Sequence, residues 1–140
     1  MLKKIRKWVA VCVVFAAFIF PQAVSAEQPK VEVFQIETGK VVRSTPKPPS
    51  VQKEAEKSIA SITGLYKKAS PLPKKGYLVK VPLDPAVKIE NSAVNTLASE
   101  VIFVLEPNQK PIMMVFDNEN RTYFFEFTHD LTLLRKALQL

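Results

Sequence analysis

The hydrophobic pattern of this chain changes period three times along its length. From Trp8 to Phe20 every residue is apolar, thirteen in a row. Lys3, Lys4, Arg6 and Lys7 precede the run without an acid, and Pro21 and the small-residue segment Ala23-Val24-Ser25-Ala26 follow it. A basic start, an apolar middle and a small-residue exit are the features of a secretory signal. The run is shorter than the roughly 20 residues that a bilayer core demands. The expectation is a signal peptide over residues 1–26, cut between Ala26 and Glu27. The alternative is that residues 8–26 remain as a membrane anchor.

Beyond the leader, Val31–Ile36 is rich in β-branched and aromatic residues, which favours a strand. Thr38-Gly39 then offers a turn, and Lys40–Arg43 can return as a hairpin. Pro46, Pro48 and Pro49 fix their own backbone angles and lack an amide donor, so residues 27–49 read as an extended arm and a proline-rich linker. Ser50 suits a helix cap. Apolar residues then recur at Val51, Ala55, Ile59, Ile62, Leu65 or Tyr66, and Ala69, in steps of three or four that place them on one helical stripe. Gly64 inside that pattern costs about 1 kcal/mol relative to alanine. Pro71 and Pro73 stop the helix.

From Tyr77 the period becomes two. Tyr77, Val79, Val81 and Leu83 alternate with Leu78, Lys80 and Pro82, and the Asp84-Pro85 step interrupts them. A meander follows: a strand over 100–106, a turn at Pro107–Lys110, a strand over 112–117, a turn at Asn118–Asn120 and a strand over 121–128. Proline and asparagine at the breaks are what tight turns require. Asp130 opens a short helix with Leu131, Leu134 and Leu138 on one side. The expected fold class is α+β: one main helix packed on a curved antiparallel sheet of about four strands, forming a roll with a short C-terminal helix. Residues 50–140 form its single domain.

The meander is apolar on both faces. Val101, Phe103, Leu105, Ile112, Met114, Phe116, Tyr123, Phe125 and Phe127 can share one face. The other then carries Ile102, Val104, Met113, Val115 and Phe124. A sheet with one wetted face alternates cleanly, so the second face needs a cover. The candidates are the C-terminal helix, the N-terminal arm, a protein partner, a second copy of the chain as a homodimer, or an apolar ligand. Ile102, Val104, Met113, Val115 and Phe124 are accordingly the candidate partner face.

Charge alters this picture only after the leader is set aside. All 13 acids lie beyond it and four of the 20 basic residues lie within it, so the net charge falls from +7 to +3. Nucleic acid is not the expected partner of so mild a balance. Cys12, the single cysteine, sits in the leader, so residues 27–140 form no disulfide and no cysteine-based metal site. Three glycines are too few for a phosphate-cradling loop, and no zinc or nucleophile-elbow spacing is present. No cofactor is expected. Asp117-Asn118-Glu119-Asn120 has calcium-binding chemistry, but Thr122 and Thr128 occupy the positions where an EF-hand needs glycine and glutamate. It reads as a solvated turn.

Two further groups carry candidate chemistry. Lys67, Lys68, Lys74 and Lys75 flank the proline turn and form a candidate contact for polyanions. His129, the only histidine, lies beside Asp130, and with Asp117 and Glu126 it would form the acid–base set of an enzyme. The leading expectation is an exported, non-enzymatic binding module of the cell envelope or extracellular space, contacting an envelope component or a protein. The alternatives are an enzyme built on the carboxylate–histidine set and a basic adhesin for anionic wall polymers.

Overall fold

A computed structural model describes residues 25–68 and 71–140. The leader expected at residues 1–26, with Cys12, lies almost wholly outside the described residues, and so does Ala69. The elements in chain order are β1 (Lys30–Gln35), β2 (Lys40–Pro46), α1 (Pro49–Ala60), β3 (Ile62–Leu65), β4 (Tyr77–Glu90), β5 (Asn95–Leu105), β6 (Ile112–Phe116), β7 (Thr122–Phe127) and α2 (Thr132–Leu138). All strands join one antiparallel sheet in the order β2-β1-β4-β5-β6-β7-β3. The expected roll of one main helix on about four strands is therefore corrected to a seven-stranded sheet with two short helices.

Two segments account for the difference. The arm is a hairpin whose first strand, β1, pairs along β4, with Glu32, Val33, Phe34 and Gln35 opposite Lys80, Val79, Leu78 and Tyr77. The helix, in turn, ends early. Val51, Ala55 and Ile59 form its buried stripe as the spacing predicts, but Ser61 closes it, and Ile62–Leu65 pair with β7 instead. A four-residue run containing β-branched Ile62 and Thr63 satisfies either period. The choice falls to β7, whose outer edge holds backbone groups that need partners.

One core lies on one face. Val33, Val79, Phe103, Met113 and Phe125 align across five adjacent strands, and the last four are fully buried. Val51, Ala55 and Ile59 of α1, and Leu131, Leu134 and Leu138 at α2, join the same cluster. Phe103 meets Phe127 edge-on at 5.8 Å between centroids. Gln52 ties α1 to the break in β4: its Oε1 accepts from the Asp84 amide at 3.1 Å, and its Nε2 donates to the Pro85 carbonyl at 3.1 Å. The Asp84–Pro85 peptide is cis. Arg43 of β2 donates to the Leu138 carbonyl at the end of α2.

The outer face follows from the same register. Val41, Phe34, Leu78, Val104 and Ile112 form one row, and Glu32, Lys80, Ile102, Met114 and Phe124 the next. The candidate partner face is thus corrected. Met113 and Val115 are fully buried in the core, while Ile112 and Met114 take the outer positions beside Val104, Ile102 and Phe124. The cause is the length of the β5–β6 turn. Glu106 belongs to it, accepting from the Gln109 amide at 3.3 Å, and Asn108 adopts a left-handed conformation with φ of 59°. The turn is one residue longer than Pro107–Lys110, and a slip of one reverses every side chain of a strand. Both expected intramolecular covers are corrected too. The C-terminal helix packs on the core face, and the N-terminal hairpin widens the sheet.

Candidate functional site

The acid–base set does not assemble. Asp117 and His129 lie at opposite ends of β7, a strand of six residues, or about 20 Å of extended chain. Asp117 is engaged in its own turn. Its Oδ1 accepts the Glu119 and Arg121 amides at 2.9 Å each, and its Oδ2 accepts from Arg121 Nε at 2.7 Å and the Tyr123 hydroxyl at 3.2 Å. Burial pushes the Asp117 carboxyl up, but the amide and guanidinium donors outweigh it and hold it at about 2. With its lone pairs so occupied, it serves the hairpin. Glu126 is exposed on the outer face. Among the described residues no His, Cys, Asp and Glu cluster has metal-holding geometry.

His129 has a partner that the periodicity did not disclose. Glu54, on the buried side of α1, takes a hydrogen bond from His129 Nε2 at 2.7 Å, and Lys57 approaches its other oxygen at 3.1 Å. An ionised carboxylate can only accept, so Nε2 carries the proton. Ser61 completes the junction. Its Oγ accepts the Thr128 and His129 amides at 3.3 and 2.9 Å and donates to the Ser58 carbonyl. The end of α1 is thus fastened to the end of β7. The only sequence signal for Glu54 is a charged residue flanking the apolar stripe of a helix.

The His129 bond holds the Glu54 carboxyl below its ordinary range, against burial that pushes it up, and Lys57 adds to the lowering. A carboxyl depressed in the folded state stabilises that state above its unfolded value of 4.5, and the contribution disappears as pH falls through the folded value. The expected result is that Glu54→Gln melts below the parent protein at neutral pH, by a few degrees, and that the two melting temperatures converge below about pH 4.5. Curves that remain parallel across this range would exclude the coupling.

The lysines, by contrast, are brought together. Pairing of Tyr77 with both Gln35 and Leu105 sets the β1–β2, β3–β4 and β5–β6 connections side by side at one end of the sheet. The Ile36 amide donates to the Gly76 carbonyl at 3.0 Å, and the Gly76 amide donates to Glu37 Oε2 at 3.1 Å. This end carries Lys68, Lys74 and Lys75, all exposed, and adds Lys40 and Lys110; Lys67, also exposed, follows Tyr66, whose amide donates to the Phe124 carbonyl at mid-strand. Lys68 and Lys110 both line a groove of about 460 Å³ with Tyr66, Pro71 and Glu126, where the buried Val104 and Ile112 are also in the lining. Lys68 Nζ stands 5.9 Å from the Tyr66 ring centre. Against these five lysines stand Glu37, Glu106, Glu126 and Asp130, with Arg135 beside the last. The opposite end is mixed: Glu27, Asp84, Glu90, Glu100, Asp117 and Glu119 stand there with Lys30, Lys47, Lys88 and Arg121.

Large apolar side chains are also exposed at the lysine end. Leu72 is 49% accessible between Pro71 and Pro73, and Val41 is 53% accessible beside Lys40. Among the described residues no helix is long and apolar enough to cross a membrane. No family model matches the chain, and comparisons with characterised proteins and with solved structures each give no significant match.

Proposed function

We propose that this protein is an exported, non-enzymatic binding module that attaches to an anionic surface of the cell envelope through its lysine-rich end. The single observation that carries the reading is the gathering of exposed lysines at one end of the sheet. Three connections that are distant in sequence bring Lys40, Lys68, Lys74, Lys75 and Lys110 to that end. Such a distribution orients a small domain with its basic end toward a negative surface and raises its encounter rate with it. The dispersal of Asp117, Glu126 and His129 supports binding over catalysis. Export rests on the leader over residues 1–26. The proposed cut between Ala26 and Glu27 predicts that intact mass and N-terminal sequencing of the released protein begin at Glu27.

Binding is tested by co-sedimentation of the released protein with anionic vesicles and by its retention on immobilised polyphosphate. Each lysine near an anionic surface contributes roughly 1 kcal/mol. Replacing Lys67, Lys68, Lys74 and Lys75 with glutamine therefore lowers affinity by about 10²–10³-fold. Raising the salt shortens the Debye length below its roughly 8 Å at physiological ionic strength and weakens the parent protein in the same sense. Equal binding to neutral and anionic vesicles, or an unaltered affinity of the fourfold variant, would overturn the assignment.

A further inference from the structure

We infer that the surface is a phospholipid bilayer, and that Pro71-Leu72-Pro73 is the tip that enters it. The inference rests on the charge reading above and names the source of the anionic groups. Lys67 and Lys68 precede the tip and Lys74 and Lys75 follow it, all four exposed. Leu72 stands between them at 49% accessibility; Leu97 and Leu133 are exposed elsewhere, at 58% and 61%, but only Leu72 is set between two pairs of lysines.

An anionic polymer in water satisfies lysines but gives an exposed leucine nothing, because the hydrophobic effect needs a phase from which water is excluded. A bilayer interface satisfies both. Headgroup phosphates meet the ammonium groups, and the acyl boundary a few ångströms deeper receives the leucine. The flanking prolines suit such a tip. Neither carries an amide donor that would be stripped of water on entry, and both restrict the chain before contact, which reduces the ordering lost on binding. Tyr66, beside Lys68, offers an apolar ring with a polar end, the type of side chain that collects at the membrane boundary. Val41, exposed next to Lys40 at the same end, extends the apolar contact.

Trp8, the only tryptophan of the chain, lies in the proposed leader, so Leu72→Trp places a single reporter at the tip of the released protein. The probes are phosphatidylcholine vesicles with and without phosphatidylglycerol, and soluble polyphosphate. With phosphatidylglycerol present, Leu72→Trp is expected to shift its emission to the blue and to be quenched by lipids brominated on the acyl chains. Leu72→Ser is expected to bind those vesicles about five- to tenfold more weakly, the change for returning half a leucine to water. Its affinity for polyphosphate and its melting temperature stay unchanged. Vesicle binding without a spectral shift or quenching overturns the tip while leaving the charge reading intact. Binding of polyphosphate alone overturns the bilayer. Binding of neither overturns both.

Discussion

Met113→Lys is expected to remove most of the stability of this protein, whereas Met114→Lys, one residue along the same strand, leaves it nearly intact. Met113 is fully buried between Phe103 and Phe125, its partners on the flanking strands. An ammonium at that point meets no acceptor and loses its water, a penalty of several kcal/mol for one uncompensated ion. A domain of this size holds only about 5–15 kcal/mol of net stability, so the substitution consumes most of it. Met114 points to the outer face, half-buried, opposite Ile102 and Phe124. A lysine there can lay its stem on the sheet and carry its charge to solvent, for a loss of about 1 kcal/mol or less. Circular dichroism melting of the two variants checks the contrast. Equal melting temperatures, or the reverse order, would show that the β5–β6 register is wrong by one residue.

The second large effect is expected at Gly76. Its φ is 109°, and an added Cβ would stand 2.1 Å from the Leu105 carbonyl oxygen and 3.1 Å from the carbonyl carbon. Both obstacles are backbone atoms of a central strand and cannot rotate away. Gly76→Ala therefore combines a disfavoured conformation, about 1–3 kcal/mol, with a clash that separates β4 from β5 at the point where the lysine-bearing connections meet. The expected loss is about 3 kcal/mol or more, together with weaker vesicle binding as the Ile36–Gly76 and Gly76–Glu37 bonds are disturbed. Gly39 supplies the control. Its φ is 65° but nothing lies within 4 Å of an added Cβ, so Gly39→Ala costs about 1–2 kcal/mol, the left-handed penalty alone. Equal urea midpoints for the two variants would refute the close approach at Leu105.

The two predictions mark the boundary between local and tertiary information. Strands β4 to β7 are legible because alternation and turn residues are local properties, and the stripes Val51-Ala55-Ile59 and Leu131-Leu134-Leu138 are legible because helical spacing is one too. The four loop lysines could be named as a polyanion contact from their positions around the proline turn. Lys40 and Lys110 could not be added, because their proximity depends on which strands pair. Glu54 escaped for a similar reason: its partner lies 75 positions away, and no local pattern couples them.

The sequence by itself determined where the chain alternates, where it turns, which helix stripes are apolar and that a basic and then apolar run occupies residues 3–20. Tertiary structure decided the extent of the sheet: the hairpin of β1 and β2, legible locally, joins it along β4, and Ile62–Leu65 is a strand because β7 offers unpaired backbone groups. It also decided the faces, because side-chain direction in a strand depends on parity, and parity depends on a turn whose extra left-handed residue is a matter of three-dimensional closure. The lysine-rich end is the product of both: local sequence put lysines in the loops, and strand pairing put the loops together.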